Sequence, residues 1–273
     1  MLAAVRARLA RRSFDYQWGS LPTGAWLSDD PRFGAQVERI ISEEELAIDP
    51  IWFRGRRVLD AGCGNGRWTD GFVRLGCDVT AMDASINAME QVRRRFGDAV
   101  RTLRGDVLEA DRLLAGETFD LVWSWGVLHH TADTGRGIRS LERLVADDGL
   151  LYLYLYGRET LPTRSASWKL NGARAGLNLV PLRARKAILE RVYGKRGAHE
   201  AFDLLSTPLN RRTTVAEATG LLHAAGLSRV VCTIDHTEVF VRADHGASSA
   251  DPFLRPLATG PYWFQQAPGP VPD

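Results

Sequence analysis

One short stretch, Val-Leu-Asp-Ala-Gly-Cys-Gly-Asn-Gly at residues 58–66, constrains the fold of this chain more than any other. Val58 and Leu59 are typical of the end of a buried parallel strand, and a helix is predicted from about Arg67. The turn between them carries three glycines: Gly62, Gly64 and Gly66. Because glycine has no Cβ, the backbone N–H groups of such a turn can approach a ligand closely. The stretch therefore predicts a ligand site in a crevice beside the turn. The carboxylate of Asp60, at the end of the strand, is expected to point into this crevice.

Strand and helix patterns alternate from residue 56 to residue 156. The predicted strands span 57–61, 78–82, 100–104, 119–124 and 149–156. The predicted helices span 67–75, 85–96, 109–115 and 135–146. Such alternation is typical of a parallel sheet with helices on both faces. A helix at 214–226 and two strands, at 229–235 and 237–242, are predicted to follow, and the strand pair indicates an antiparallel hairpin at one side of the sheet.

The chain is predicted to have three regions. Residues 1–55 form an N-terminal cap, with a basic helix at 1–13 and an amphipathic helix at 34–49. Residues 56–243 form the main domain, and residues 244–273 form a proline-rich tail. The aromatic segment of the cap holds five aromatic residues that either pack over the core or close over a ligand. These residues are Phe14, Tyr16, Trp18, Trp26 and Phe33.

A basic insertion interrupts the alternation at about residues 157–213 and is predicted to be a helical lid, with a helix near 181–194. Nine basic residues and one acidic residue, Glu190, lie between Pro162 and Gly197. The basic residues are Arg164, Lys169, Arg174, Arg183, Arg185, Lys186, Arg191, Lys195 and Arg196. This charge indicates either a solvated helix face or a surface that attracts an anionic acceptor or a membrane.

The composition limits the class of protein. Hydrophobic residues make up 45% and charged residues 25%, as in ordinary globular proteins, and no apolar run approaches the roughly 18 residues of a membrane span. The net charge of +2 does not by itself indicate nucleic acid as a partner. Three cysteines without metal-ligand spacing predict reduced thiols, no metal site and a cytoplasmic location, with Cys63 a structural residue of the turn.

Two further carboxylates follow the next predicted strands. Asp83 ends the second strand, 23 residues after Asp60, where an acidic residue can accept hydrogen bonds from ribose hydroxyls. Asp106 follows the third strand in Arg-Gly-Asp-Val, beside the apolar Val107. The fourth strand, in Phe-Asp-Leu-Val-Trp-Ser-Trp-Gly-Val-Leu-His-His, ends in a polar aromatic turn. In an open α/β sheet, ligands bind outside the carboxyl ends of the strands, so all these features converge on one crevice.

Taken together, VLDAGCGNGR, VTAMDAS, RGDV, FDLVWSWGVLHH and DDGLLYLYLY resemble the class I S-adenosylmethionine-dependent methyltransferases, in the small-molecule, type 11/12-like group. The resemblance covers about residues 56–156 and, more loosely, 205–242. It implies a Rossmann-like α/β fold with a seven-stranded, mostly parallel sheet, an antiparallel last strand and helices on both faces. It also implies S-adenosylmethionine as the cofactor.

The resemblance assigns cofactor contacts to ten residues. Asp60, Gly62, Gly64 and Gly66 would hold the methionine part. Asp83 would bind the ribose hydroxyls, Ala84 would lie beside the adenine, and Asp106 with Val107 would bind the adenine. The backbone of Ser124 and Trp125 would face the amine and the sulfonium.

Transfer from a sulfonium is an in-line displacement, and an alcohol acceptor must also lose a proton, a task that suits histidine. His130, His129 and Tyr156 are therefore the catalytic candidates, although a histidine pair at this turn can also serve packing alone. The acceptor is expected to contact residues 14–26, the 125–130 turn and the insertion. Its candidate ligands are Tyr16, Trp18, Asn210 and Arg211, with Arg212 in the same loop.

The predicted function is methyl transfer to a small-molecule or lipid-linked acceptor, most directly at oxygen, with at most peripheral membrane contact. N- or C-methylation on the same fold and a non-catalytic cofactor-binding partner protein stay open. An NAD-dependent dehydrogenase shares the glycine turn and Asp83, but it does not explain the third- and fourth-strand motifs. Methylation of DNA or RNA bases is disfavoured, because Ser-Trp-Gly-Val stands where a base-directed Asn/Asp-Pro-Pro-Tyr motif would follow the fourth strand.

Overall fold

The computed structural model describes residues 2–21, 34–158, 164–246 and 257–265. Trp26, Phe33 and most of the predicted proline-rich tail lie outside the described residues.

Seven strands in the described part of the chain form a single sheet. The strands are β1 (Arg57–Ala61), β2 (Asp78–Asp83), β3 (Val100–Arg104), β4 (Phe119–Trp125), β5 (Val145–Leu155), β6 (Arg229–Cys232) and β7 (Val239–Asp244). Their order is β3-β2-β1-β4-β5-β7-β6. The first five strands pair in parallel, and β7 runs antiparallel to both neighbours. The predicted seven-stranded sheet with an antiparallel last strand is therefore confirmed.

Successive residues of the central strands enter two different cores, as the pleat of a strand requires. Val58 and Trp123 pack in one core, on the side of helices α3 (Arg67–Arg74) and α4 (Ile86–Phe96). Leu59 and Val122 pack in the other, on the side of α6 (Thr134–Glu142) and α9 (Val215–Ala224). The predicted layers, with helices on both faces of the sheet, are thus confirmed. The short helix α5 spans Ala110–Leu113.

The first helix, α1, runs from Leu2 to Ser20, well beyond the predicted end at residue 13. Its extra turns are helical because their aromatic residues find partners on a distant helix, α8 (Leu182–Ser206). The Tyr16 ring stacks on Phe202 with centroids 5.9 Å apart, and Trp18 lies 5.2 Å from the His199 ring. Tertiary packing thus decides the structure of a segment whose sequence reads as irregular.

The predicted helix at 34–49 is a short α-helix, α2 (Val37–Arg39), that continues as a π-helix over Ile40–Leu46. The wider turn brings two consecutive acidic residues, Glu44 and Glu45, into the interior. Ala47 closes the element with φ +53°.

Glu45 joins three separate parts of the chain. Its carboxylate accepts hydrogen bonds from the Tyr152 hydroxyl on β5, from the Trp125 indole on β4 and, at 2.7 Å, from the indole of Trp263. Glu44 accepts the backbone N–H of Trp263 at 2.7 Å. Burial raises the pKa of Glu45 to about 7, against the three donors that lower it. The pair therefore fixes the segment around Trp263 to the sheet.

The insertion is helical, as predicted, with α7 at Arg164–Asn178 and α8 extending past the predicted residue 194 to Ser206. Gly194, with φ +72°, kinks α8. Among the basic residues of the insertion whose side chains the structure describes, Arg174 and Arg185 are buried and serve the fold. Arg174 donates to the Leu204 carbonyl at 2.7 Å, and Arg185 donates to the carbonyl and hydroxyl of Ser206 at 3.1 and 3.0 Å.

Trp263→Phe should lower the free energy of unfolding by about 1–2 kcal/mol, because it removes the indole donor to buried Glu45 and keeps most of the ring. Trp168→Phe is the matched control, since that side chain is 82% exposed, and should change stability by less than about 0.5 kcal/mol. Urea denaturation measures both. Equal effects of the two substitutions would contradict the role assigned to Glu45.

Candidate functional site

A large cavity of about 1300 Å³ lies at the carboxyl ends of the parallel strands. The glycine turn after β1, the end of β2, the turn after β4 and the end of β5 form its floor, and residues of α1 and α8 form its cover. The floor is the topological switch point, where the chain leaves β1 for β2 on one side and β4 lies on the other. Single-ligand pockets typically measure roughly 300–1000 Å³, so this cavity has room for a cofactor and an acceptor together.

The glycine turn is held against β2 by its backbone. The N–H groups of Gly62 and Cys63 both donate to the Met82 carbonyl, at 2.7 and 3.0 Å. Gly64 has φ +55°, and a Cβ there would lie 2.5 Å from the ring of Trp18 on α1. Glycine is thus required at this position both by backbone conformation and by the close approach of the cover. Gly62 and Gly64 line the cavity, whereas Gly66 lies behind them as the N-cap of α3.

Asp83 lines the cavity at the end of β2, as predicted. One carboxylate oxygen accepts the Gly64 N–H at 3.0 Å and the other accepts the Ser85 N–H at 2.8 Å. Each oxygen keeps a further lone pair, so the carboxylate can also accept two hydroxyl hydrogens. Burial raises its pKa despite these backbone donors. The geometry fits the ribose contact that the sequence predicts.

Asp60 lies one layer deeper and does not line the cavity. It accepts the Thr69 hydroxyl at 2.6 Å. Burial, with a smaller contribution from the charge of Asp83, raises its pKa to about 7. If Asp60 contacts the methionine part of a cofactor, as predicted, its side chain would do so from beneath the glycine turn.

The adenine end predicted from Asp106 and Val107 is also part of the cavity lining, together with Ala84. The Asp106 carboxylate is already paired, with Arg11 of α1 at 2.5 Å and with the Leu108 N–H at 3.0 Å. Asp15, one turn further along α1, accepts the Ser85 hydroxyl at 2.7 Å. The first helix is therefore fixed by carboxylate contacts directly above this end of the cavity.

Three polar side chains meet on the opposite wall. The Tyr156 hydroxyl donates to Asp203 at 2.7 Å, and Nε2 of His130 lies 3.3 Å from the second Asp203 oxygen. The distance between His130 and Asp203 is short enough for an ion pair when the imidazole is protonated. Nδ1 of His130 lies 2.8 Å from the Leu209 carbonyl. A carbonyl can only accept, so Nδ1 carries a proton and Nε2 is the nitrogen that can take one up.

The charges of this wall favour an ionised Asp203. Burial raises the pKa of the carboxyl, but His130 and the Tyr156 hydroxyl outweigh it, and the net direction is downward. Burial raises the pKa of Tyr156 well above its usual value, so the phenol stays protonated. The wall therefore presents a carboxylate, a phenol donor and an imidazole to one space.

His129, the second predicted catalytic histidine, is fully buried and does not line the cavity. Its ring stacks on Tyr156 with centroids 3.8 Å apart, and its Nδ1 lies 3.4 Å from the Tyr156 N–H. Burial holds the pKa of His129 well below its usual value, so the ring is neutral. This position fits the alternative that the sequence left open, in which the histidine serves packing alone.

The predicted acceptor ligands divide into two groups. Trp18 lines the cavity, but Tyr16 packs against α8 outside it. Asn210 and Arg211 do not line it, and the Arg211 backbone N–H donates to the His129 carbonyl at 2.8 Å. Arg212, the next residue, lines the cavity, and its guanidinium lies 5.7 Å from the Tyr156 ring centre.

Of the two residues predicted to present their backbone to a cofactor, Trp125 lines the cavity, whereas Ser124 is fully buried and does not.

Several lining residues carry no local signal in the sequence. Asp203 lies in the last turn of α8, Glu238 lies in the hairpin before β7, and Trp263 belongs to the tail. With Trp125 and Tyr154 from the predicted strands, Trp263 forms part of an aromatic wall.

Within the described ranges, no cluster of three or more metal-ligating side chains occurs. Among the helices of the same ranges, none combines the length and apolar character needed to cross a membrane.

Comparison with known proteins identifies the domain. Residues 59–153 match the family described as a methyltransferase domain. A ubiquinone biosynthesis O-methyltransferase of Caulobacter sp. (strain K31) is 33% identical over 108 residues, 39% of this chain and 43% of that protein. A malonyl-[acyl-carrier protein] O-methyltransferase of Enterobacter lignolyticus (strain SCF1) is 30% identical over 155 residues, 57% of this chain and 59% of that protein. The chain spans about half the length of these curated relatives.

Among solved structures, magnesium protoporphyrin IX methyltransferase from Synechocystis PCC 6803 with bound SAH superposes with a TM-score of 0.51 at 18% identity. The match covers 89% of this chain and 99% of that chain, and it supports the fold. Residues 59–153 thus match a methyltransferase domain, and the fold agrees with that of the class I S-adenosylmethionine-dependent methyltransferases that the motifs resemble.

Asp60→Asn should flatten the pH dependence of stability. Because the folded pKa of about 7 exceeds the usual 3.8, the wild-type protein loses stability as pH rises from about 4 to about 7 and is level above that. The substituted side chain cannot ionise. Between pH 4 and pH 7 the free energy of unfolding of the variant should therefore rise, relative to that of the wild type, by up to about 4 kcal/mol. Urea denaturation at pH 4.5 to 8 measures the difference, and parallel profiles would contradict a buried, protonated Asp60.

Proposed function

We propose that this chain is an S-adenosylmethionine-dependent methyltransferase that methylates an oxygen atom of a small-molecule or lipid-linked acceptor. The observation that carries the proposal is the shared cavity: Asp83 and the glycine turn line one end, and His130 with Asp203 lines another. The O-methyltransferase relatives support oxygen as the site of transfer.

The cofactor end fits S-adenosylmethionine. Asp83 has acceptor capacity left for the two ribose hydroxyls, and Gly62 and Gly64 line the same end of the cavity. Ala84 and Val107 would flank the adenine, with Asp106 at its edge. Trp125 would border the sulfonium side. Bound there, S-adenosylmethionine supplies a methyl group that its sulfonium already activates.

The remaining task of the chain is to position the acceptor and keep water out. The cover formed by α1 and α8 serves that purpose, because Trp18, His199 and Arg11 hold it closed over the glycine turn and Asp106. The aromatic wall at Trp125, Tyr154 and Trp263 offers the apolar surface on which an acceptor would lie.

An alcohol acceptor would give its proton to Nε2 of His130, since Nδ1 is committed to the Leu209 carbonyl. Asp203 would then face a protonated imidazole 3.3 Å away and stabilise its charge. Tyr156 holds Asp203 in place through the 2.7 Å hydrogen bond. We therefore assign His130 as the general base and Asp203 as its positioning residue, with Arg212 beside them as a ligand for an anionic group of the acceptor.

The function is tested with S-adenosylmethionine that carries a ¹³C methyl group. The purified protein is incubated with this cofactor and fractionated cell extract, and NMR of the product identifies the atom that bears the label. We expect an O-methyl product. An N- or C-methyl product would move the reaction to the alternative chemistry, and cofactor binding without any labelled product would favour a non-catalytic partner protein.

Asp83→Ala should weaken binding of S-adenosylhomocysteine, the demethylated product, by 100-fold or more, because two hydroxyl contacts to a charged acceptor are lost, each worth roughly 1.5–3 kcal/mol. Asp78→Ala is the matched control, as that exposed residue begins the same strand at its opposite end. Calorimetry measures both affinities, and circular dichroism checks the fold. An unchanged affinity of the Asp83 variant would place the ribose elsewhere.

Asp203→Asn should lower kcat by about 10²-fold or more and leave the affinity for S-adenosylhomocysteine unchanged. Asp203→Glu, which keeps the carboxylate, should restore part of the lost kcat. Glu190→Gln, on the same helix and paired with Lys186, is the control. An equal loss of kcat in Asp203→Asn and Asp203→Glu would contradict the role of the Asp203 charge.

A further inference from the structure

The outer face of the α7–α8 hairpin carries large apolar side chains that no described part of the chain covers. Trp168 is 82% exposed, Leu179 is 88% exposed and Val192 is 66% exposed. Isolated exposed apolar residues are common on proteins, but here several of the largest occur on one pair of helices. We call this surface the lid face and define it as the exposed residues of α7 and α8 together with Leu179, which lies between them.

The exposed positions on α7 follow a helical stripe. Trp168 lies near the start of α7, and Leu179 follows directly after its last residue, Asn178. The positions between them on this side are small and uncharged: Gly172, Ala175 and Gly176, all exposed. Added Cβ atoms at both glycines would meet nothing within 4 Å, so the stripe is open along its length.

A second stripe lies on α8, where Ala184, Ile188 and Val192 follow one another at four-residue intervals and are all exposed. Arg183 and Arg191 form the neighbouring column and are also exposed. Within the described part of the chain, neither arginine has a salt bridge. Lys169, beside Trp168, is also exposed and likewise has no salt bridge within the described residues.

The two stripes belong to helices that contact each other. The turn between the helices is centred near Val180, and Trp168 and Val192 are each twelve residues from it, which corresponds to about 18 Å along a helix. Exposed apolar side chains flanked by long basic ones are the pattern of a helix that lies in the interface of an anionic membrane.

We propose that the lid face docks on the surface of a bilayer that contains anionic lipid. Apolar stripes would enter the boundary between head groups and chains, and Lys169, Arg183 and Arg191 would meet the lipid phosphates. A second copy of the chain fits less well, because an isologous contact would bring the same basic columns together. Nucleic acid would leave Trp168 and Leu179 in water.

The lid face belongs to the helices that also cover the cavity. Leu170 of α7 and Asp203 of α8 line the cavity, on the inner side of the elements whose outer side carries the stripes. Docking would therefore hold the cavity cover next to the membrane. Membrane binding requires neither cofactor nor acceptor, so the proposed docking surface can be tested independently of methyl transfer.

The test is flotation of the full chain with vesicles of phosphatidylcholine alone or of phosphatidylcholine with phosphatidylglycerol. We expect partition into the anionic vesicles, weakened by high salt. Arg183→Ser with Arg191→Ser should weaken it about thirtyfold. Trp168→Ser with Leu179→Ser should weaken it tenfold or more. The tryptophan emission of the wild type should shift to shorter wavelength on binding, and Trp168→Phe should remove most of that shift.

Matched controls use exposed residues away from the lid face. Arg94→Ser with Arg112→Ser removes two exposed arginines from α4 and α5, and Ile51→Ser removes an exposed apolar side chain. Both controls should partition like the wild type. No flotation with anionic vesicles, equal partition into both kinds of vesicle, or an equal loss in the controls would overturn the proposal, as would sedimentation showing that the lid face instead forms a dimer.

Discussion

The hydrogen bond from the Gly64 N–H to the Asp83 carboxylate ties together the parts of this molecule that matter for ligand binding. It joins the turn after β1 to the end of β2, and the two N–H bonds to the Met82 carbonyl reinforce the same junction. Because both are interior strands in the parallel part of the sheet, which is buried between two helical layers, the junction cannot move without disturbing both cores. The cavity floor is therefore fixed before any ligand arrives.

Around this fixed floor, the cover comes from distant parts of the chain. The first helix reaches the floor through Arg11 and Trp18, and the insertion reaches it through His199 and Asp203. Their mutual contact, in which Tyr16 stacks on Phe202, makes one layer of two segments that are far apart in sequence. The consequence is a site whose cofactor end is built from the sheet and whose acceptor end is built largely from the cover.

That division explains how much of the site could be predicted from the sequence. The strands, the glycine turn, Asp83 and Asp106 follow from local patterns, since each stands directly after a strand and a parallel sheet brings such ends together. Asp203 could not be predicted, because its function depends on where a 25-residue helix packs, and a helix pattern alone does not determine that. The same holds for Trp263, whose backbone and indole N–H groups are held by Glu44 and Glu45, far away in the sequence. Arg212 illustrates the same limit: the sequence predicts which loop would face the acceptor, but it does not determine which of the neighbouring side chains in that loop lines the cavity.

The central claim is that the cavity floor is an S-adenosylmethionine site and not a site for a dinucleotide. Calorimetric titration of the wild-type chain with S-adenosylhomocysteine and, separately, with NAD tests it directly. We predict micromolar affinity for S-adenosylhomocysteine and much weaker binding of NAD. Tighter binding of NAD than of S-adenosylhomocysteine would contradict the assignment of the site.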